Sequence, residues 1–180
     1  TKDMKLIKEL TSTSELAFGL MISLLRNIIP SHKDVLKMNW NYNNFIGRQI
    51  KDLQVGVIGY GRLGKIFCKQ LEGFGAKIIV IDPYINKCKF KKISLQKAAP
   101  IVDIFIIHVH LNDQTRNLLN KKIIKKMKRG SFIVNTSRGE VVNEKDVIEY
   151  LDNGKLKGYA CDVISNELDD INKSVIIKNA

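Results

Sequence analysis

The chain has 180 residues, 44% hydrophobic and 27% charged, and its 30 Lys and Arg against 18 Asp and Glu give a formal charge of +12. This is about one domain's length, enough to bury a core without disulfide staples. No apolar run reaches the ~18 residues of a membrane helix, and the basic residues, spread along the whole chain from Lys2 to Lys178, argue against a nucleic-acid partner.

Cys68, Cys88 and Cys161 lie far apart and form no CxxC pair, so neither a disulfide framework nor a zinc ribbon is expected, and a reducing cytoplasm is the expected setting. No charged-then-apolar leader opens the chain, and its start at Thr1 rather than methionine reads as that of a fragment.

From Ser14 to Ile29, Leu16, Ala17, Phe18, Leu20, Met21, Leu24, Leu25 and Ile28 recur at helical spacing behind a Thr/Ser run suited to capping. One long helix, stopped by Pro30, is predicted. Its apolar face is broader than one sheet face covers, so a homodimer is expected. Ser31 to Arg48 is polar and Asn-rich, and it reads as a connecting arm in which Trp40 is a candidate to pack on the partner copy.

Beyond the arm, short apolar strands alternate with amphipathic segments. Strands are predicted at Val55–Ile58, Ile78–Ile81, within Ile101–Val109, and at Ser131–Asn135, Gly158–Asp162 and Val175–Ile177. Helices are predicted at Arg62–Gly73, Asn120–Met127 and Asn143–Asn153, the last capped by Asn143. Right-handed crossovers then make the chain an α/β protein, a Rossmann-type doubly wound parallel sheet with helices on both faces. Residues 1–50 hold the leading helix and arm, and 51–180 the sheet.

The first strand runs into Gly59-Tyr60-Gly61-Arg62-Leu63-Gly64 and then a helix. Gly59 allows the tight turn, Gly61 lets the backbone approach a pyrophosphate, and Gly64 permits close helix packing. The helix N-terminus offers free N–H groups to the phosphates. Asp82 ends the second strand, where it can accept ribose hydroxyls and repel a 2′-phosphate, favouring NAD over NADP. Lys87 and Lys89 leave a lesser route to NADP.

Four segments together carry a family resemblance: Glu15–Met21 with Leu25-Arg26, Val57–Gly64, Asn135–Val142, and Asp162-Val163 followed by Glu167. Over nearly its whole length the chain resembles the nucleotide-binding domain of the D-2-hydroxyacid dehydrogenases, the phosphoglycerate dehydrogenase-like group. The resemblance implies one domain of a two-domain oxidoreductase that moves hydride between NAD(H) and a small 2-hydroxy or 2-oxo acid.

It also implies residue roles. Arg138 matches the arginine that holds the substrate's carboxylate and carbonyl, a task for a planar fork of donors. Glu167 matches the carboxylate that orients the catalytic histidine, and Asp162 the acid near the nicotinamide carboxamide. Thr136 and Ser137 fall beside the nicotinamide ribose, while His108, Val109 and His110 match the strand end over the cofactor, with Thr115 beyond. His110 and Leu168 stand where the family commonly has proline. The family's histidine follows the last predicted strand in a Thr-Pro-His segment, where this chain has Lys178, Asn179 and Ala180. The 180 residues alone are therefore expected to be inactive, and a non-catalytic NAD-binding module that controls dimerisation or partner contacts is the competing expectation.

Overall fold

Val55–Ile58, Ile78–Ile81 and Ile104–Ile107 are apolar without alternation, the pattern of strands covered on both faces. In the computed structural model, which describes residues 10–167 and 174–178, they form the middle of a parallel sheet. The elements in chain order are α1 (Ser12–Leu25), α2 (Ile28–Val35), β1 (Gln54–Ile58), α3 (Arg62–Glu72), β2 (Lys77–Ile81), β3 (Lys91–Lys92) and α4 (Leu95–Ala98). There follow β4 (Ile104–Ile107), α5 (Lys121–Ile124), β5 (Ser131–Asn135), α6 (Glu144–Asp152), β6 (Leu156–Cys161) and α7 (Val175–Lys178). Among the described residues the strand order is β3-β2-β1-β4-β5-β6, all parallel. This is the doubly wound Rossmann order, and the chain reverses direction between β1 and β4. Such a reversal opens a crevice at the carboxyl ends of the strands.

Alternate side chains of β1, β2, β4 and β5 feed two cores. Ile79, Ile81, Phe105, Ile107 and Ile133 face one side with Leu95, Ile124 and Val147 from α4, α5 and α6. Val55, Val57, Ile78, Val80, Ile104, Ile106 and Val134 face the other, under Ala17, Met21 and Leu25 of α1 and Phe67 and Leu71 of α3. Asn120 and Asn143 cap α5 and α6 by accepting the N–H groups of Lys122 and Asp146.

The leading segment departs from expectation. One helix was expected through Ile29, but α1 ends at Leu25 and Asn27 turns left-handed with φ 53°. Its amide donates to the Phe45 and Ile46 carbonyls at 3.2 and 3.4 Å, tying the arm to the helix break. Pro30 then sits in the first turn of α2 instead of stopping a helix, because a first-turn residue has no intrahelical N–H bond to lose. The expected arm is thus helical as far as Val35 and has a further turn at Tyr42–Phe45. Thr11 occupies the N-cap of α1 without a side-chain capping bond.

The expected strand at Val175–Ile177 is also corrected. Val175–Lys178 is one helical turn, started by Ser174, whose hydroxyl accepts the Ile177 N–H at 3.3 Å. A β-branched run has been overridden by a local cap. The edge strand β3 and the short α4 have no counterpart among the predicted elements. Among the described residues no helix is long and apolar enough to cross a membrane.

Candidate functional site

The crevice is a cavity of about 1140 Å³ along the carboxyl ends of the strands. Its floor is the turn after β1. Gly59 has φ 91°, and a Cβ there would come within 2.4 Å of the His108 carbonyl oxygen, so both conformation and the end of β4 require glycine. A Cβ on Gly64 would lie 2.0 Å from the Gly59 oxygen, which is how tightly α3 is drawn onto the turn. Gly61 is different: a Cβ there meets nothing within 4 Å, because this position opens into the cavity. No side chain caps α3, so its N-terminus presents backbone N–H groups beside that opening.

Asp82 sits half-buried at the end of β2, with Oδ2 accepting the Tyr60 N–H at 2.8 Å and Oδ1 the Tyr84 N–H at 2.9 Å. The carboxylate thereby braces the glycine turn and keeps a lone pair on each oxygen for a ligand. On the opposite wall, Thr115 accepts the Asn112 N–H at 2.8 Å and donates to the His110 carbonyl at 2.6 Å, shaping the loop after β4. The Tyr84 hydroxyl bonds Gln114 across the mouth.

His108 is packed on the Phe67 ring at 5.3 Å between centroids, and among the described residues neither of its buried ring nitrogens has a hydrogen-bond partner. Burial pushes its pKa down to about 4, so the imidazole is neutral near pH 7. The Thr136 hydroxyl, on the neighbouring strand end, is likewise buried without a partner. Ser137 donates its hydroxyl to the Val109 carbonyl, joining the loops after β4 and β5.

At the far end Arg138 is exposed, its Nη1 donating to the Ser137 carbonyl at 2.7 Å. Asp162 follows β6 directly. Its carboxyl is held above the usual range, by desolvation first and by the nearby Glu167 charge, with Arg138 opposing.

Of the residues singled out from sequence, Gly59, Gly61, Arg62, Leu63, Asp82, His108, Val109, His110, Thr115, Thr136, Ser137, Arg138 and Asp162 line this one cavity. Tyr60, Gly64 and Glu167 do not. Tyr60 turns its ring edge-on to Phe90 at 6.1 Å and contributes its backbone N–H. Gly64 acts through packing. Glu167 is exposed and accepts the Ile164 N–H at 3.3 Å. Leu168, Asn179 and Ala180 lie outside the described residues. Sequence reasoning missed Thr13 of α1, and also the wall from Lys92 to Gln96. Only the fold brings these to the cavity.

An elongated ligand with an anionic centre fits these groups. The open Gly61 position and the helix N-terminus suit a pyrophosphate, Asp82 a diol, and Arg138 a carboxylate.

Residues 18–178 match the family model for the D-isomer specific 2-hydroxyacid dehydrogenase, NAD binding domain. The chain is 32% identical over 169 residues to D-3-phosphoglycerate dehydrogenase of Bacillus subtilis (strain 168), covering 91% of the chain and 32% of that relative. It is 37% identical over 160 residues to 2-hydroxyacid dehydrogenase A of Aspergillus oryzae, covering 87% and 46%. The solved D-lactate dehydrogenase of Aquifex aeolicus, complexed with NAD and lactic acid, superposes with a TM-score of 0.82 at 27% identity, over 87% of this chain and 48% of that one. The chain therefore spans less than half the length of both curated relatives.

Proposed function

Because the chain belongs to the D-isomer specific 2-hydroxyacid dehydrogenases as their NAD-binding domain, we propose that the whole polypeptide exchanges hydride between NAD(H) and a small 2-hydroxy or 2-oxo acid. One observation carries this reading: a single cavity holds the open Gly61 turn, Asp82 and, at its other end, the exposed Arg138. Bound NAD(H) supplies the hydride donor or acceptor.

The remaining work belongs to the chain's residues. The N–H groups at the start of α3 hold the pyrophosphate beside Gly59, Gly61, Arg62 and Leu63. Asp82 accepts the adenosine ribose hydroxyls through its two spare lone pairs, and a 2′-phosphate meets that carboxylate as a like charge. Val109, His110 and Thr115 wall the cofactor, while Thr136 and Ser137 flank the nicotinamide ribose. Asp162 takes the carboxamide. Arg138 receives the substrate carboxylate through two parallel bonds, which also polarises the adjoining carbonyl. Glu167 orients the histidine that protonates the carbonyl oxygen.

A homodimer is part of the reading. Ile28, Ile29, Val35, Leu36, Met38 and Trp40 are all exposed on α2 and the arm, with Trp40 at 86%, and a second copy would cover this patch. A cytoplasmic setting is supported by the three cysteines, all free thiols.

The test is an assay of NADH oxidation by the full-length polypeptide with glyoxylate, pyruvate and hydroxypyruvate. Turnover with at least one is expected, and Arg138→Lys should reduce kcat/KM by ~100-fold, since a point charge cannot replace the fork. NADH binding without turnover on any 2-oxo acid would favour the binding-only alternative.

A further inference from the structure

We propose that Glu144 is a positioning residue that locks the Asp162–Glu167 loop to the Arg138 loop, so that the charged groups at the substrate end of the cavity keep one spacing. The inference rests on reading that end as the place of nicotinamide and substrate.

Glu144 is the first residue of α6, where an acid ordinarily stays in water and complements the helix dipole. Here it is only 6% exposed. It is not needed as a cap, because Asn143 already accepts the Asp146 N–H at 3.2 Å. A buried carboxylate is costly unless it is bonded, and Glu144 Oε1 accepts the Ser165 N–H at 2.8 Å, from the loop beyond β6.

The peptide that donates this bond is gripped from a second side. A Cβ on Gly139 would lie 2.0 Å from the Ile164 carbonyl carbon and 2.1 Å from the Ser165 nitrogen, so the backbone just after Arg138 rests on that peptide. The preceding N–H, of Ile164, donates to Glu167 at 3.3 Å. Arg138 is fixed from its own strand: Asn135 Oδ1 accepts the Ser137 N–H at 3.1 Å, and its Nδ2 donates to the Arg138 carbonyl at 2.9 Å.

Arg138, Asp162 and Glu167 thus sit on two loops whose backbones meet at one clamped peptide. The arrangement needs a clamp, because the carboxylates of Asp162 and Glu167 repel each other within one short loop. Glu144 grips the loop by its backbone and leaves the Asp162 side chain free for the cavity.

The test compares NADH with ADP-ribose, which lacks only the nicotinamide, by calorimetric titration of the 180-residue chain. Glu144→Ala should weaken NADH by about tenfold, the loss of roughly one charge-assisted bond's positioning, and leave ADP-ribose within about twofold. Glu144→Gln keeps an acceptor oxygen toward Ser165 and should recover most of the NADH affinity. Equal weakening of both ligands would show a merely structural role and overturn the proposal, as would unchanged NADH affinity in Glu144→Ala.

Amide exchange of the unliganded chain supplies a readout independent of ligand. Ser165 should exchange on the order of 100-fold more slowly than an unstructured amide in the wild type and Glu144→Gln, and rapidly in Glu144→Ala. Free exchange at Ser165 in the wild type overturns the clamp even if a variant fails to fold. A wild type with protected Ser165 that binds neither ligand would instead sink the dinucleotide reading.

Discussion

Asp103 lies at the end of the sheet opposite the cavity, 6% exposed, and gathers three donors from three parts of the chain. Oδ1 accepts from Arg48 at 3.0 Å and Lys128 at 3.2 Å, and Oδ2 accepts the Gln54 N–H at 2.8 Å. Asp103→Ala removes all three. Orphaning the Gln54 N–H costs ~1–3 kcal/mol, and the two cations, with side chains 43% and 35% exposed, add only ~0.2–1 kcal/mol each. The expected loss is about 1.5–5 kcal/mol, or ~3–20 °C in Tm for a chain of this length.

Asp103→Asn keeps an acceptor for Gln54 and should lose about 1 kcal/mol. Urea unfolding followed by circular dichroism measures both. The pH dependence has a definite sign. Desolvation pushes the Asp103 pKa up, but Gln54, Arg48 and Lys128 outweigh it and hold the folded carboxyl below its ordinary value. The unfolded state therefore binds the proton first, so the stabilisation is whole above pH ~4 and is lost as pH falls through the lower, folded pKa. The gap between wild type and Asp103→Asn should close over that interval. Variants within ~0.5 kcal/mol of wild type at pH 7 would refute the reasoning.

Gly61→Val should abolish NADH binding while unfolding stability falls by no more than about 1 kcal/mol, the cost of a poorer N-cap, because the new Cβ meets nothing within 4 Å and the side chain starts into the cavity; calorimetry and urea melts separate the two effects. Gly64→Ala should lower both, since its Cβ collides with the Gly59 carbonyl. His108, its ring nitrogens buried, is held neutral with a pKa of about 4, so the unfolded state takes up a proton first and stability should fall as pH drops from ~6.5 toward 4. His108→Leu should flatten that slope in urea melts at stepped pH. Sedimentation at micromolar concentration should show a dimer, and Leu36→Asp with Trp40→Asp a monomer; a wild-type monomer would remove the dimer from the account.

The glycine turn and Asp82 were legible because their requirements are local: a strand, a forced left-handed φ, a helix start and an acid at the next strand end all lie in neighbouring sequence. The break after Leu25 was not, since Asn27 is held left-handed by carbonyls of Phe45 and Ile46 that only the folded arm brings near. β3 escaped notice because Lys91 and Lys92 have no apolar pattern, and β2 alone recruits them as an edge. Val175–Lys178 misled because its β-branched residues outvote a cap one residue earlier. Thr13 reached the cavity through the packing of α1, and Glu144 looked like any acid in a first helical turn. What pattern could not supply was which distant backbone each polar side chain would meet.

The most direct test of the account is calorimetric titration of the unmodified chain with NADH and NADPH, repeated with Asp82→Ala. NADH should bind at least ~tenfold more tightly than NADPH, and Asp82→Ala should narrow that gap by weakening NADH and relieving the repulsion of the 2′-phosphate. Equal affinity of the unmodified chain for the two cofactors, or no binding of either, would contradict it.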